Sequence, residues 1–163
     1  MTTTYNPTDA PANAHTYEKR SVFNTTIDQM IAFHEAPNAF STLTPPPIFI
    51  QVLRDDRTSL QNGEIEFNMW FGPIPIRWIA NHEPVSAEYG FVDRLVKGPM
   101  AYWYHRHIFE ETADGVALID RITIAHKPGI QGILTRLFFD GIPLRLLFFY
   151  RHLRTRMALN GKS

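Results

Sequence analysis

The stretch from Phe91 to Asp120, FVDRLVKGPMAYWYHRHIFEETADGVALID, places Trp103, His105, His107 and Phe109 at every second position. Side chains alternate faces along an extended strand, so these four share one face of a sheet, which a helix could not arrange. Gly98-Pro99 and the segment Glu110 to Gly115 are turn signals that divide the stretch into three antiparallel strands. Pairing Phe109 with Val116 sets His107 opposite Leu118, His105 opposite Asp120 and Trp103 opposite Ile122. Counting back across Gly98-Pro99 adds Phe91, Asp93 and Leu95 to the same face. A slip of one residue would reverse all of these assignments.

The histidine face carries Phe91, Leu95, Trp103, Phe109, Val116, Leu118, Ile122 and Ile124, whereas the opposite face carries Arg94, Tyr102, Tyr104, Arg106, Arg121 and Thr123. The histidines therefore point inward. Buried polar groups need partners, and His105 and His107 have Asp93, Asp120 or a bound ligand to turn to. Titratable groups on a greasy inner face predict a lined cavity.

The rest of the chain supplies the layers around that face. Tyr17 to Phe23 alternates as a first strand, and Asn24 or Thr25 can cap a short helix over Thr26 to Phe33. Pro37 and Pro45-Pro46-Pro47 limit a second helix to the short piece between them. Ile48 to Leu53 is a strand, and Arg54 to Gly63 its turn. Glu64 to Phe71 alternates cleanly, with Ile65, Phe67, Met69 and Phe71 on one side, and Ile76 to Val85 places Ile76, Trp78, Ala80 and His82 together. After Pro128 the period changes. Leu146, Phe149, Tyr150, Leu153 and Met157 form the apolar stripe of a long carboxy-terminal helix, with Arg151, His152 and Arg154 turned away. Gly141 and Pro143 kink that helix or separate its first part.

At 163 residues the chain makes one domain, here 17–159, after a flexible tail at 1–16. Its formal net charge of zero gives no reason to expect nucleic acid. From Gln131 onward Arg136, Arg145, Arg151, Arg154, Arg156 and Lys162 face only Asp140, an excess suited to weak association with an anionic membrane surface. Cysteine is absent, which removes disulfides and thiolate chemistry and fits a reducing cytoplasm. The first residues lack the basic start and apolar run of a secretory signal. LFFDGIPLRLLFFY is too short and too interrupted to span a bilayer.

Trp78, Phe91 with Asp93, Gly98-Pro99, Trp103-x-His105-x-His107-x-Phe109, Asp120 and Pro128 form a string that resembles the SRPBCC, or START-like, superfamily. That superfamily includes birch-pollen-allergen-like proteins and polyketide cyclase/dehydrases, and the similarity is to its bacterial ligand-binding branch. It extends from Tyr17 to Met157 and departs from the pattern near Ile124, where an aromatic is expected. The resemblance implies an α+β helix-grip fold: a curved antiparallel sheet of about seven strands wrapped around a long carboxy-terminal helix, with two short helices after the first strand. It also implies a pocket between sheet and helix for a hydrophobic small molecule such as a lipid, quinone or polyketide. The expected lining is Phe67, Met69, Trp78, Phe91, Trp103, His105 and His107 from the sheet, and Phe149, Tyr150, Leu153 and Met157 from the helix. Phe138, Phe139, Leu147 and Phe148 fall outside the helical stripe, a surplus that a homodimer contact or a pocket mouth would cover.

Four roles for the central residues follow. They form a satisfied network that braces the hairpins; or they orient a ligand without chemistry; or His105 and His107 act as acid and base, with Asp120 or Asp93 fixing the tautomer, as cyclisation or dehydration of a polyketide needs. The fourth is a His-x-His metal site of the cupin kind. The glycine spacings and the lack of a second histidine motif speak against a cupin, and no metal or cofactor is expected. His34, His82, His126 and His152 stand alone in the sequence and read as surface or edge residues. No phosphate-binding glycine loop and no ordered nucleophile set is present.

Overall fold

The computed structural model describes residues 9–160. The first eight residues of the expected tail lie outside that range. Strand β1 (His15–Phe23) is followed by α1 (Ile27–Glu35) and α2 (Ala39–Thr42). Then come β2 (Phe49–Asp55), β3 (Gly63–Phe71), β4 (Ile74–Glu83), β5 (Tyr89–Lys97), β6 (Tyr102–Thr112) and β7 (Gly115–Ala125), and finally α3 (Ile130–Phe139) and α4 (Gly141–Leu159). The strands form one antiparallel seven-stranded sheet in the order β1-β7-β6-β5-β4-β3-β2. This is the helix-grip arrangement, with the sheet's inner face closed by the helices.

Local chemistry explains the boundaries. Thr26, one residue beyond the expected caps, starts α1 through a reciprocal capping box with Gln29. On β3, Ile65 and Phe67 are buried, while Glu64 and Glu66 turn outward to pair with Arg54 and Arg77. Asp140 ends α3 and caps α4, accepting a hydrogen bond of 2.7 Å from the Gly141 amide. Gly141, with φ +54°, stands at the break that separates α3 from α4, and Pro143 sits in the first turn of α4, where its missing N–H is harmless.

The register of β6 on β7 differs from the expected one by two residues. Phe109 pairs with Leu118, His107 with Asp120, His105 with Ile122 and Trp103 with Ile124. The cause is the turn: pairing continues to Thr112 and Gly115, so Glu110 and Glu111 belong to the strand and only Ala113 and Asp114 reverse the chain. Thr112 Oγ1 closes the turn, accepting from the Asp114 amide at 3.3 Å. An even slip keeps every side chain on its expected face.

The apolar face of α4 is the reverse of the expected one. Leu144, Phe148, His152, Thr155 and Leu159 are buried against the sheet, whereas Phe149, Leu153 and Met157 are 59%, 43% and 65% exposed. Two of the inward residues are polar, and this misdirected the hydropathy reading. Their polar atoms are satisfied: Thr155 Oγ1 donates to the Arg151 carbonyl at 2.9 Å, and His152 meets Ser21 and Asp120. Of the apparent surplus, Phe139 and Phe148 are buried and Leu147 packs against them, whereas Phe138 is 48% exposed, and all four border the cavity between sheet and helices. Of the basic residues in this region, Arg136, Arg145 and Arg156 are exposed, with Arg156 lying over the Phe23 ring and donating to the Val22 carbonyl, while Arg151 turns to the interior.

The core has two parts. One gathers Phe67, Trp78, Trp103, Ile122, Ile124, Phe139, Leu144 and Phe148, and the other Phe23, Met30, Phe91, Phe109, Leu118 and Leu159. Along β6 and β7 the residues between these clusters are His105, His107 and Asp120. Among the described residues, no helix is long and apolar enough to cross a membrane.

Candidate functional site

A cavity of about 1000 Å³ lies between the sheet's inner face and the helices. Phe67, Met69, Trp78, Phe91 and Trp103 line it from the strands, Phe40 from α2, and Phe139, Leu147 and Phe148 from α3 and α4. Its polar part holds His34, His82, Asp93, His105, His107 and Arg151. All of the expected sheet residues are therefore brought together. Phe149, Tyr150, Leu153 and Met157 are not among the lining residues, because α4 presents Leu147, Phe148 and Arg151 instead. Asp120 sits behind the two histidines.

Register places the carboxylates. β6 runs between β5 and β7, so Asp93 comes beside His105 from one side and Asp120 beside His107 from the other. Asp120 Oδ1 lies 2.8 Å from His105 Nε2 and 3.0 Å from His107 Nδ1, and its Oδ2 lies 2.8 Å from His152 Nε2. The His107 Nδ1 contact is out of line for a hydrogen bond. On the cavity side, Asp93 Oδ2 is 3.4 Å from both His105 Nδ1 and His107 Nε2. His152 is held in turn by Ser21 Oγ at 2.7 Å from Nδ1. The His105 and His107 rings lie 3.7 Å apart, and Phe91 stacks on His107 at 4.1 Å.

Burial is the largest influence on all three central ionisable groups, and hydrogen bonding overrides it. Burial raises the carboxyls of Asp93 and Asp120, but His105 and His107, joined by His152 at Asp120, hold both well below the usual carboxylate range. Burial lowers His105, yet its bonds to Asp120 and Asp93 raise it above the ordinary imidazole value. His34 is the opposite case. Burial, reinforced by the neighbouring His107, pushes it down to about 3.

The four histidines expected at the surface are all buried. His34 Nδ1 donates to the Met30 carbonyl at 2.9 Å, and His82 Nδ1 donates to the Leu60 carbonyl at 2.9 Å. His126 bridges Thr135 Oγ1 and Asp140 Oδ2, each at 2.8 Å. His152 completes the Asp120 cluster. The alternation of His82 with Trp78 and Ala80, and the four-residue step from Phe148 to His152, were the available signals. Arg151 was placed on the wrong side. Among the described residues its guanidinium has no ion pair or hydrogen-bond partner, and burial lowers its pKa.

No family model and no curated protein matches the sequence. Solved structures do match. A protein of Chromobacterium violaceum aligns over 89% of this chain and 96% of its own, with 12% identity and a TM-score of 0.64. The di-domain ARO/CYC StfQ from the steffimycin biosynthetic pathway aligns over 91% of this chain and 52% of its own, at 12% identity and a TM-score of 0.64. Ara h 8.0201 aligns over 88% and 99%, at 10% identity and a TM-score of 0.58. The fold is that of the SRPBCC, or START-like, superfamily. Within this helix-grip frame, β5, β6 and β7 supply the histidine–aspartate cluster and α4 supplies the arginine that faces the same cavity.

Proposed function

We propose that this SRPBCC-fold domain binds a hydrophobic small molecule between the sheet and α4, with the molecule's polar end toward His105, His107 and Arg151. The observation that carries the reading is the cavity of about 1000 Å³, apolar over Phe67, Met69, Trp78 and Trp103 and polar in one part. That combination of volume and sparse, convergent polar groups is typical of small-molecule sites. Likeness to Ara h 8.0201 and to an ARO/CYC protein supports a fold suited to such ligands. A lipid, quinone or polyketide meets the shape and polarity.

Native mass spectrometry of protein purified from its own host tests this, together with quenching of Trp78 and Trp103 fluorescence by a panel of such compounds. The expected results are an organic adduct, and binding that Met69→Trp abolishes by filling the cavity. Binding unchanged in Met69→Trp overturns the reading. A second reading, a cyclase/dehydratase-type enzyme, is favoured by the placement of Asp93 and two histidines at the cavity wall. It predicts turnover of a polyketide substrate that His105→Gln/His107→Gln abolishes, whereas simple binding would persist.

A further inference from the structure

We propose that Asp93, His105 and His107 form a site for one divalent first-row transition-metal ion, open to the cavity. The donor atoms of the three side chains all lie within 4.8 Å of one another. Asp93 Oδ2 stands 3.4 Å from each imidazole nitrogen that faces it. That separation is long for a charge-assisted hydrogen bond, which runs at about 2.7–2.9 Å. It matches the edge of a coordination tetrahedron, about 3.3–3.4 Å for metal–ligand bonds of roughly 2.0–2.1 Å.

The outer side of the His105 ring supplies an independent observation. His105 Nε2 is hydrogen-bonded to Asp120 Oδ1 at 2.8 Å, while His107 Nδ1 lies 3.0 Å from the same oxygen without a hydrogen bond. Carboxylates behind metal-binding histidines commonly fix the ring tautomer in this way. A metal ion bound here would displace the protons shared between these groups and take His105 Nδ1, His107 Nε2 and Asp93 Oδ2 as its donors in place of the two long contacts. Asp120 is itself pinned by His152 at 2.8 Å, which is in turn pinned by Ser21 at 2.7 Å, so the His105 ring is oriented before any ion arrives.

The donor set defines the ion. Two imidazoles and one carboxylate suit zinc, iron(II) or cobalt(II), whereas magnesium and calcium prefer all-oxygen shells. Asp93 and Asp120 together offset a double positive charge. The Asp93 side chain is 24% exposed and borders the cavity, so the remaining coordination positions open toward any bound molecule. The inference does not depend on the identity of an organic ligand, because the ion is measured on the protein alone.

The test is titration of chelator-treated full-length protein with Co²⁺ and then Zn²⁺, followed by calorimetry, visible spectroscopy and histidine NMR. Expected are one ion per chain, visible cobalt bands that zinc removes, and paramagnetic broadening of the His105 and His107 ring signals. Asp93→Ala should lose the site, and Asp120→Asn should weaken it about 10- to 100-fold, as loss of a supporting carboxylate does. The exposed His15→Ala serves as a control and should bind as the parent does. If Asp93→Ala does not fold, Asp93→Asn replaces it, and the NMR broadening needs no variant. Lack of stoichiometric binding, broadening confined to other histidines, or full affinity in a folded Asp93 variant overturns the proposal.

Discussion

Replacing Asp120 by Asn changes one buried oxygen to an amide and removes one charge from a side chain that is 2% exposed. Asp120 serves His105 through Oδ1 and His152 through Oδ2, both at 2.8 Å. The amide oxygen can still accept from His105. Its NH₂ group then faces His152 Nε2, which must become an acceptor by moving its proton to Nδ1. Ser21 allows this, because a hydroxyl can accept as well as donate. The geometry is thus partly rescued while the charge is lost. Breaking a buried ion pair costs roughly 3–5 kcal/mol, and this partial rescue puts the effect near the lower end, about 3 kcal/mol. For a chain of this size that lowers Tm by roughly 6–12 °C. The assay is thermal and urea unfolding with chelator present, so that no ion contributes. A fall in Tm of less than about 2 °C, below 1 kcal/mol, would refute the claim that Asp120 is the electrostatic centre of the cluster.

Phe148→Ala should destabilise by about 3–5 kcal/mol, because that ring is 1% exposed, whereas Phe149→Ala next to it should stay within about 0.5 kcal/mol. Urea midpoints of the pair read out directly which face of α4 is inside. For Asp140, burial raises the carboxyl, but hydrogen bonds from His15, His126 and the Gly141 amide bring it below the usual carboxylate value. A lowered folded pKa means that its contribution is present above about pH 4 and disappears as the pH falls through the folded value. Asp140→Asn should flatten the acid limb of stability measured by urea unfolding between about pH 6 and pH 2.5. Gly90 has φ +133°, and a Cβ there would stand 2.0 Å from the His107 carbonyl oxygen. Gly90→Ala should therefore cost about 1–3 kcal/mol and increase amide exchange along β5 and β6.

The sheet was legible because its signal is a period of two that turn residues interrupt. Trp103, His105, His107 and Phe109 share their inner face with Phe91 and Asp93 as the alternation required. The β6–β7 register was only half legible, since Glu110 and Glu111 look like turn residues and are strand. Alternation fixes the parity of a register, while the turn fixes its value. The inner face of α4 was not legible, because His152 and Thr155 are polar and buried, which hydropathy reads as outside. The burial of His152 is licensed by partners far away in sequence, such as Ser21, which lies 131 positions from it, whereas Thr155 turns back on the Arg151 carbonyl of its own helix. His82 and His126 were missed for the same reason, because each is satisfied by a group that the completed fold brings to it, whereas His34 bonds to the Met30 carbonyl of its own helix and packs its ring near Phe91 and Phe109.

The pairing of β1 with β7 joins the first strand to the last. Ser21 emerges from the ribosome 131 residues ahead of His152, its hydrogen-bond partner. At about 5–20 residues per second, that interval is roughly 7–26 s, through most of which β1 lacks its neighbouring strand and through all of which it lacks the His152 turn of α4. Hairpins from β2 to β7 can form as they appear, since each pairs with its neighbour in sequence. The histidine–aspartate cluster cannot, because it draws on β1, β5, β6, β7 and α4 together. Long-range closure of this kind slows folding, so the cluster is completed only after the hairpins of the sheet. A nascent chain arrested before α4 would carry most of the sheet and none of the finished cluster.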